Sequence, residues 1–253
     1  MITRRDLQHW ARQPGAVIAN TLVFPVMIVL MFGYLLGGAM IVPGGGDYRD
    51  FLMPGMFAMT MVFGIGATLS AVSTDAARGV TDRFRSLPMA AEAVVAGRAV
   101  ADMLSSAVAL AVLTGCGLAI GWHPHRGVAR AAGALGLLLL LRFAFVWIGI
   151  YLGLRFYDNS EAVTAVRTLE FPIGFLGNPF VAIATMPAWL GAIALWNPLS
   201  STASAARQLF GDPVGAGPSW VTGHAILVAV AWPVILIVVF FPLSVRRYRH
   251  LSH

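Results

Sequence analysis

The stretch AAGALGLLLLLRFAFVWIGIYLGL, residues 131–154, is almost entirely apolar. A transmembrane helix needs roughly 20 apolar residues, because each residue rises about 1.5 Å and the hydrocarbon layer is about 30 Å thick. This stretch meets that requirement and predicts a spanning helix. Its single charged residue, Arg142, lies near the middle, where a charge is costly and needs a partner.

The composition of the whole chain also indicates a membrane protein. Of its 253 residues, 58% are hydrophobic and 11% are charged, and the mean hydropathy is +0.78, which exceeds what a water-soluble domain needs. The net charge of +6 comes from arginines distributed between apolar segments, whereas a nucleic-acid surface gathers its basic residues on one soluble face. We therefore expect an all-α, polytopic membrane protein with one transmembrane domain over residues 1–253 and no nucleic-acid partner.

Further apolar segments of spanning length lie on both sides of residues 131–154. The six predicted spans cover about 16–39, 51–72, 94–121, 131–154, 161–183 and 222–243. The fifth contains Pro172, Gly174, Gly177 and Pro179. Because backbone groups freed by such residues must be satisfied by protein or water, this span is expected to face protein or a cavity. Six spans place both termini on one side of the membrane.

The arginines predict which side that is. With a cytoplasmic N-terminus, twelve arginines lie inside: Arg4, Arg5, Arg12, Arg78, Arg83, Arg85, Arg98, Arg155, Arg167, Arg246, Arg247 and Arg249. Four lie outside: Arg49, Arg126, Arg130 and Arg207. An excess of arginine is typical of the cytoplasmic side. Both termini are therefore predicted to be cytoplasmic.

The segment before the first span has the pattern of an amphipathic helix. In residues 1–14, Leu7 and Trp10 lie along one helical face, and Arg5 and Arg12 lie along another. This pattern predicts an interfacial helix that contacts anionic lipid at the inner headgroup layer.

The segment STDAARGVTDRFRSLPM, residues 73–89, separates the second and third spans. As a helix it pairs acids with arginines at three- and four-residue spacing and carries apolar residues on another face. It is either a short cytoplasmic helix that docks into a groove of a soluble partner or a solvated loop that only enforces topology. The positions singled out are Asp75, Arg78, Gly79, Asp82, Arg83, Phe84, Arg85, Leu87 and Pro88.

Three charged residues are predicted at similar depths inside the membrane. Counted from the span ends, Asp102, Arg142 and Glu170 lie within a few ångströms of one another in depth. This agreement predicts a buried charge cluster between the third, fourth and fifth spans. The cluster either lines a path for cargo or is a structural salt bridge, and Arg98 with Asp102 is a competing local pair.

The segment PAWLGAIALWNPLSSTASAARQLF, residues 187–210, is expected on the outer side. Trp189 and Trp196 suit a membrane interface, and Asn197 with Pro198 is expected to separate two short helices. The segment predicts either a re-entrant hairpin or a simple interfacial anchor.

Two blocks of sequence carry a resemblance to a known family. The run Asp75, Gly79, Arg83, Phe84, Arg85, Ser86, Leu87, Pro88 resembles the cytoplasmic loop of type-two ABC exporter permeases, which include the daunorubicin-resistance exporters. The block WIGIYLGL (147–154), FPIGFLGNPFVAIATMPAWLGAIALWNP (171–198) and Arg207 resembles the fifth span and outer helices of the same family. Ala182 stands where the family commonly has proline.

The resemblance implies a permease subunit in a bacterial inner membrane, paired with a second, identical or homologous, permease. It implies that two ATP-binding subunits bind ATP and magnesium and grip residues 75–88 as a coupling helix. The cargo would be a hydrophobic or amphipathic drug, lipid or lipid-linked metabolite moved out of the cell. The chain contains no lysine, so it cannot form a phosphate-binding loop of the usual type. It is expected to have no cofactor and not to be an enzyme by itself.

Two other functions fit the sequence less well. An intramembrane aspartyl protease would use Asp47 and Asp158, but these lie on opposite sides in the predicted topology, and two acids sharing a proton must be close. A passive channel would need a polar stripe, which no span shows clearly. No metal site is predicted, because the histidines form isolated pairs: His123 with His125, and His250 with His253.

Overall fold

The computed structural model describes residue 23 and residues 26–36, 45–77, 91–214 and 219–250. Its α-helices are α1 (Tyr48–Val62), α2 (Ile65–Ala77), α3 (Ala91–Ala119), α4 (Val128–Arg155), α5 (Ser160–Phe175), α6 (Ala188–Trp196), α7 (Pro198–Phe210), α8 (Trp220–Gly223) and α9 (Ala225–Arg249). Residues 26–30 are also helical and continue as a π-helix over Met31–Leu36. No strand occurs within these ranges, so the all-α prediction is confirmed for the described residues.

Four of the described helical segments are long and apolar enough to cross a bilayer. They are Tyr48–Ala77, which α1 and α2 form together, Val95–Ala119, Val128–Arg155 and Ala225–Arg249. They coincide with the predicted second, third, fourth and sixth spans. The count of six spans stays a prediction, because only part of residues 16–39 is described and α5 has 16 residues.

The fifth span differs from its predicted boundary. Helix α5 continues through Pro172 but ends at Phe175, well before residue 183. Beyond it, Asn178 is buried, its backbone N–H donates to Ser200 Oγ at 3.1 Å and its side-chain Nδ2 donates to Ser204 Oγ at 3.0 Å. These hydrogen bonds hold the residues after α5 against α7, and the helix does not continue.

Helix α4 is the central helix of the bundle, packing against α2, α7 and α9. Two glycines one helical turn apart allow α2 to approach it closely. A Cβ added at Gly149 would lie 2.9 Å from Thr68 Cβ, and one added at Gly153 would lie 2.8 Å from Val72 Cβ. Small residues at such spacing let helices in membranes pack by close contact.

Helix α1 is enclosed by the main hydrophobic core. Its residues from Phe51 to Met59 are buried, and Phe57, Trp122 and Phe210 meet edge to face, with Trp122 and Phe210 ring centroids 5.0 Å apart. We call the end of the bundle at which α4 begins the outer end, after the orientation that the arginines predict. The aromatic cluster packs α1 against Trp122, in the connection between α3 and α4, and against Phe210 of α7 at this outer end.

The amphipathic segment of residues 1–14 lies outside the described residues. Of the predicted coupling helix, only Asp75 is described, half-buried near the end of α2. Its other members also lie outside the described residues: Arg78, Gly79, Asp82, Arg83, Phe84, Arg85, Leu87 and Pro88.

Candidate functional site

The second span is interrupted near its middle. Helix α1 ends at Val62 and α2 begins at Ile65, which by helical rise is about 22 Å from the start at Tyr48 and about 20 Å from the end at Ala77. We call residues 63–66, Phe-Gly-Ile-Gly, the helix break. The start of a helix leaves backbone N–H groups without helical acceptors, so side chains or water must satisfy them.

Arg142 of α4 reaches one side of the helix break. Its side chain is 3% exposed, Nε donates to Ser106 Oγ at 2.8 Å, and Nη2 donates to Thr68 Oγ1 at 2.9 Å. The Thr68 hydroxyl in turn donates to the carbonyl of Gly64 at 3.1 Å. A Cβ at Gly64 would overlap the guanidinium, so this arginine requires glycine there.

Glu170 of α5 reaches another side of the helix break. Both carboxylate oxygens accept from the Gly66 N–H, at 3.1 and 3.2 Å. A negative charge is stabilised at this position, because the N-terminus of α2 carries the positive end of the helix dipole. A Cβ at Gly66 would overlap the carboxylate. Since α5 packs mainly on α2, this bond is the central polar contact between the two helices.

The structure brings the three predicted charges into one region but distributes their bonds differently. Asp102 forms the competing local pair, with Arg98 Nη2 to Asp102 Oδ1 at 3.1 Å. Among the described residues, Arg142 donates to hydroxyl groups and Glu170 accepts from backbone. Asp102 is nonetheless near Arg142, because Ser106, which accepts from Arg142, lies one helical turn from Asp102.

The sequence interpretation missed the residues to which these charges bind. Three of them, Gly64, Gly66 and Thr68, belong to the second span, and the fourth, Ser106, belongs to α3. The predicted cluster included no residue of the second span. The available signal was the pair of glycines two residues apart in the middle of an apolar span.

A second buried arginine lies at the outer end. Arg207 of α7 is fully buried, and its Nε donates to the Phe51 carbonyl at 2.9 Å while Nη2 donates to the carbonyls of Asn178 at 2.9 Å and Pro179 at 3.3 Å. Its guanidinium carbon lies 3.8 Å from the centre of the Phe51 ring. We call Arg207 with these three carbonyls the carbonyl site.

Arg207, one of the arginines predicted to lie on the outer side, is a buried hydrogen-bond donor in the structure. The segment after α5 leaves the helix and exposes carbonyl groups inside the protein, which need buried donors. Arg207 supplies several, and the Tyr48 hydroxyl donates to the Phe180 carbonyl at 3.0 Å. The carbonyl site therefore joins α1, α7 and the end of α5.

The two predicted outer helices are present as α6 and α7. They meet at Asn197, whose side chain accepts from the Leu199 N–H at 2.9 Å, and Pro198 begins α7, a position where proline loses no helical bond. Trp189 is 68% exposed and Trp196 is 56% exposed. Their placement at a membrane interface, and the re-entrant arrangement, stay predictions.

Asp212 links the end of α7 to the connection between α3 and α4. Trp122 Nε1 donates to Asp212 Oδ2 at 3.0 Å, and His125 Nδ1 lies 3.2 Å from Asp212 Oδ1. Burial raises the pKa of Asp212 to about 6, although the hydrogen bonds from Trp122 and His125 oppose this shift.

This raised pKa predicts a pH dependence of stability. The unfolded carboxyl loses its proton near its ordinary pKa of about 4, whereas the folded one keeps it up to about pH 6. The contribution of Asp212 to the free energy of unfolding therefore falls as the pH rises from about 4 to about 6 and is constant above that. We expect Asp212→Asn to remove this contribution and the exposed control Asp158→Asn to retain it, measured as the unfolding temperature in detergent. Equal pH profiles for both variants would contradict the prediction.

The aspartates of the protease alternative are far apart. Asp47 directly precedes α1. Two residues further on, Arg49 donates to the Ile120 carbonyl at 3.3 Å, in the connection between α3 and α4, so Asp47 lies at the end of the bundle where α4 begins. Asp158 follows the end of α4, a helix of 28 residues, or about 42 Å. The two acids therefore cannot share a proton. Among the described residues, no group of three His, Cys, Asp or Glu side chains is arranged to hold a metal ion.

Comparison with known proteins agrees with the resemblance of the two sequence blocks. Residues 1–210 match the sequence model of the ABC-2 type transporter family. The chain is 33% identical over 233 residues to the daunorubicin resistance ABC transporter permease protein DrrB1 of Streptomyces coeruleorubidus, covering 92% of this chain and 80% of the relative. It is 23% identical over 213 residues to the putative transport permease ycf38 of Pyropia yezoensis, covering 83% and 72% respectively. The chain therefore belongs to the ABC-2 type transporter family, whose members are permease subunits and not enzymes themselves.

Proposed function

We propose that this chain is the membrane-spanning subunit of an ATP-driven exporter that moves a hydrophobic or amphipathic drug, lipid or lipid-linked metabolite out of a bacterial cell. Two separate ATP-binding subunits supply the energy, and a second permease, identical or homologous, completes the transmembrane part. The observation that carries this proposal is the 33% identity to a daunorubicin resistance permease over 92% of the chain. The cytoplasmic placement of both termini and of residues 75–88 belongs to the same proposal.

The exposed face of α5 supports an apolar or amphipathic cargo. Phe171 is 48% exposed and Phe175 is 39% exposed, with their ring centroids 4.6 Å apart. Phe63 and Phe180 extend this row of rings at 6.0 and 4.9 Å. Partly exposed aromatic rings offer a large apolar contact area, and Glu170 on the same helix adds a polar group. Such a surface suits compounds that combine apolar and polar parts.

The test is reconstitution with an ATP-binding subunit of an ABC transporter from the same cell. Both are co-expressed, purified together and placed in vesicles with daunorubicin as the probe. We expect co-purification, ATP hydrolysis that daunorubicin stimulates, and drug movement that stops when a catalytic residue of the ATP-binding subunit is replaced.

Two outcomes would contradict the proposal. Drug movement that continues with the inactive ATP-binding subunit would indicate a passive channel. Failure of the two proteins to co-purify, with no stimulated hydrolysis, would remove the ATP-driven mechanism.

A further inference from the structure

The two glycines of the helix break are covered from different directions by opposite charges. Successive residues of a helix are about 100° apart around its axis, so positions 64 and 66 point to roughly opposite sides. Arg142 of α4 fills the space beside Gly64, and the Glu170 carboxylate of α5 fills the space beside Gly66. Each charge occupies the volume that a side chain would take. The break is therefore shaped to receive these two groups.

Helix α5 is held at two places along its length. Its outer end leads into the carbonyl site, where Arg207 binds the carbonyls of residues 178 and 179. The second place is the helix break, where Glu170 accepts from Gly66 and a Cβ at Gly174 would overlap the ring of Phe63.

The half of α5 that starts at Ser160 lies beyond both of these places. None of its residues is buried, and Glu161, Thr164 and Ala165 are exposed. A helix fixed at its outer end and exposed over its opposite half can change its tilt at small cost in buried apolar area. What opposes this tilt is the contact at the helix break.

We infer that Glu170 is a positioning residue for transport: its bond to the N-terminus of α2 holds the inner half of α5 against α2, and release of that bond lets this half move away about the carbonyl site. Arg142 has a supporting role, because it fills the opposite side of the break and holds Thr68, and so keeps the Gly66 N–H directed at α5. The inference rests on the proposed function, since it assigns the moving helix of the exporter. It also predicts a state of the chain that can be measured without cargo.

The direct test is a distance measurement by pulsed electron paramagnetic resonance in lipid nanodiscs. Spin labels are attached at Thr74→Cys on α2 and Thr164→Cys on α5, both exposed, after Cys116, the single cysteine, is replaced by alanine. Dilution with unlabelled chain isolates the distances within one molecule. We expect one short distance in the parent and an added longer distance in Glu170→Ala.

The expected populations of the two distances follow from the free energy of the lost hydrogen bond. A hydrogen bond to a charged group corresponds to a change of about ten- to a hundredfold in the ratio of open to closed chains. Glu170→Gln keeps an acceptor oxygen without the charge and should fall between the parent and the alanine variant. Glu161→Ala, which removes an exposed carboxylate from the same helix, should match the parent.

A second variant tests the geometry with Glu170 intact. Gly66→Ala places a methyl group where the carboxylate lies and should also produce the longer distance. Gly136→Ala is its control, because a Cβ added there meets nothing within 4 Å. If Glu170→Ala and Gly66→Ala both give the same distances as their controls, the inference is wrong. If Glu170→Ala does not fold, the distances in Glu170→Gln and Gly66→Ala test the inference by the same criterion.

The role in transport is tested with daunorubicin in the reconstituted vesicles. Glu170→Ala should reduce ATP-dependent export on the order of tenfold while ATP hydrolysis continues, and Glu161→Ala should not. Normal export by a variant whose distances have changed would overturn the positioning role. Absence of co-purification with the ATP-binding subunit and of stimulated hydrolysis in the parent chain would instead contradict the proposed function, and the distance measurement would still test the contact between Glu170 and Gly66.

Discussion

Arg207→Leu is expected to cost on the order of 3 to 5 kcal/mol of folding free energy, the largest stability loss that we predict for a single substitution. The side chain is fully buried, and removing it leaves the carbonyls of Phe51, Asn178 and Pro179 without this donor. A buried acceptor left unsatisfied costs about 1 to 3 kcal/mol. The contact with the Phe51 ring is lost as well. Thermal unfolding in detergent and limited proteolysis are the measurements.

The matched control is Arg126→Leu. Arg126 lies at the same end of the bundle and also donates to a carbonyl, that of Gln208 at 2.9 Å, but it is exposed. Its removal should cost less than about 1 kcal/mol, because water replaces an exposed donor. Arg207→Lys should be intermediate, since an ammonium group lacks the planar fork that reaches several acceptors. Equal losses for the two leucine variants would show that the carbonyl site does not stabilise the fold.

Changes in the predicted coupling helix are expected to have the largest effect on transport. Val80, Phe84 and Leu87 lie on one face of this segment if it is helical, and a buried aromatic residue often dominates the binding energy of such a contact. Phe84→Ala, or Arg83→Glu, should therefore reduce daunorubicin export at least about tenfold. The protein should still reach the membrane, and its ATP-binding partner should still hydrolyse ATP, but without stimulation by the drug.

Ser86→Ala is a suitable control for this prediction. Position 86 is two residues from Phe84 and so lies on the opposite helical face. Export and drug-stimulated hydrolysis are measured together in the same vesicles for all three variants. If Phe84→Ala and Arg83→Glu retain both activities at the level of Ser86→Ala, residues 75–88 do not couple ATP hydrolysis to transport.

The apolar segments were predictable because they depend on local sequence. Residues 131–154 and three other segments are long and apolar enough to span a bilayer wherever they occur in a chain, and the structure has helices there. The separation of α6 from α7 was predictable for a similar reason, since Asn197 caps a helix that Pro198 begins.

The end of α5 was not predictable in the same way. Gly177 and Pro179 disfavour a helix beyond α5. The path that the chain takes instead is set by Ser200, Ser204 and Arg207, which bind its polar groups. Those partners lie more than twenty residues away in the sequence. A pattern read within one segment contains no information about them.

The helical character of this chain, its several segments able to cross a membrane and its family could all be predicted from the residues alone. These properties follow from the length and polarity of continuous segments and from residue order. The partners of the buried charges depend instead on how the helices pack: Arg142 binds Thr68 and Ser106, and Glu170 binds Gly66. A helix break frees backbone groups at one point in space, and the packing of the neighbouring helices sets which side chains reach that point.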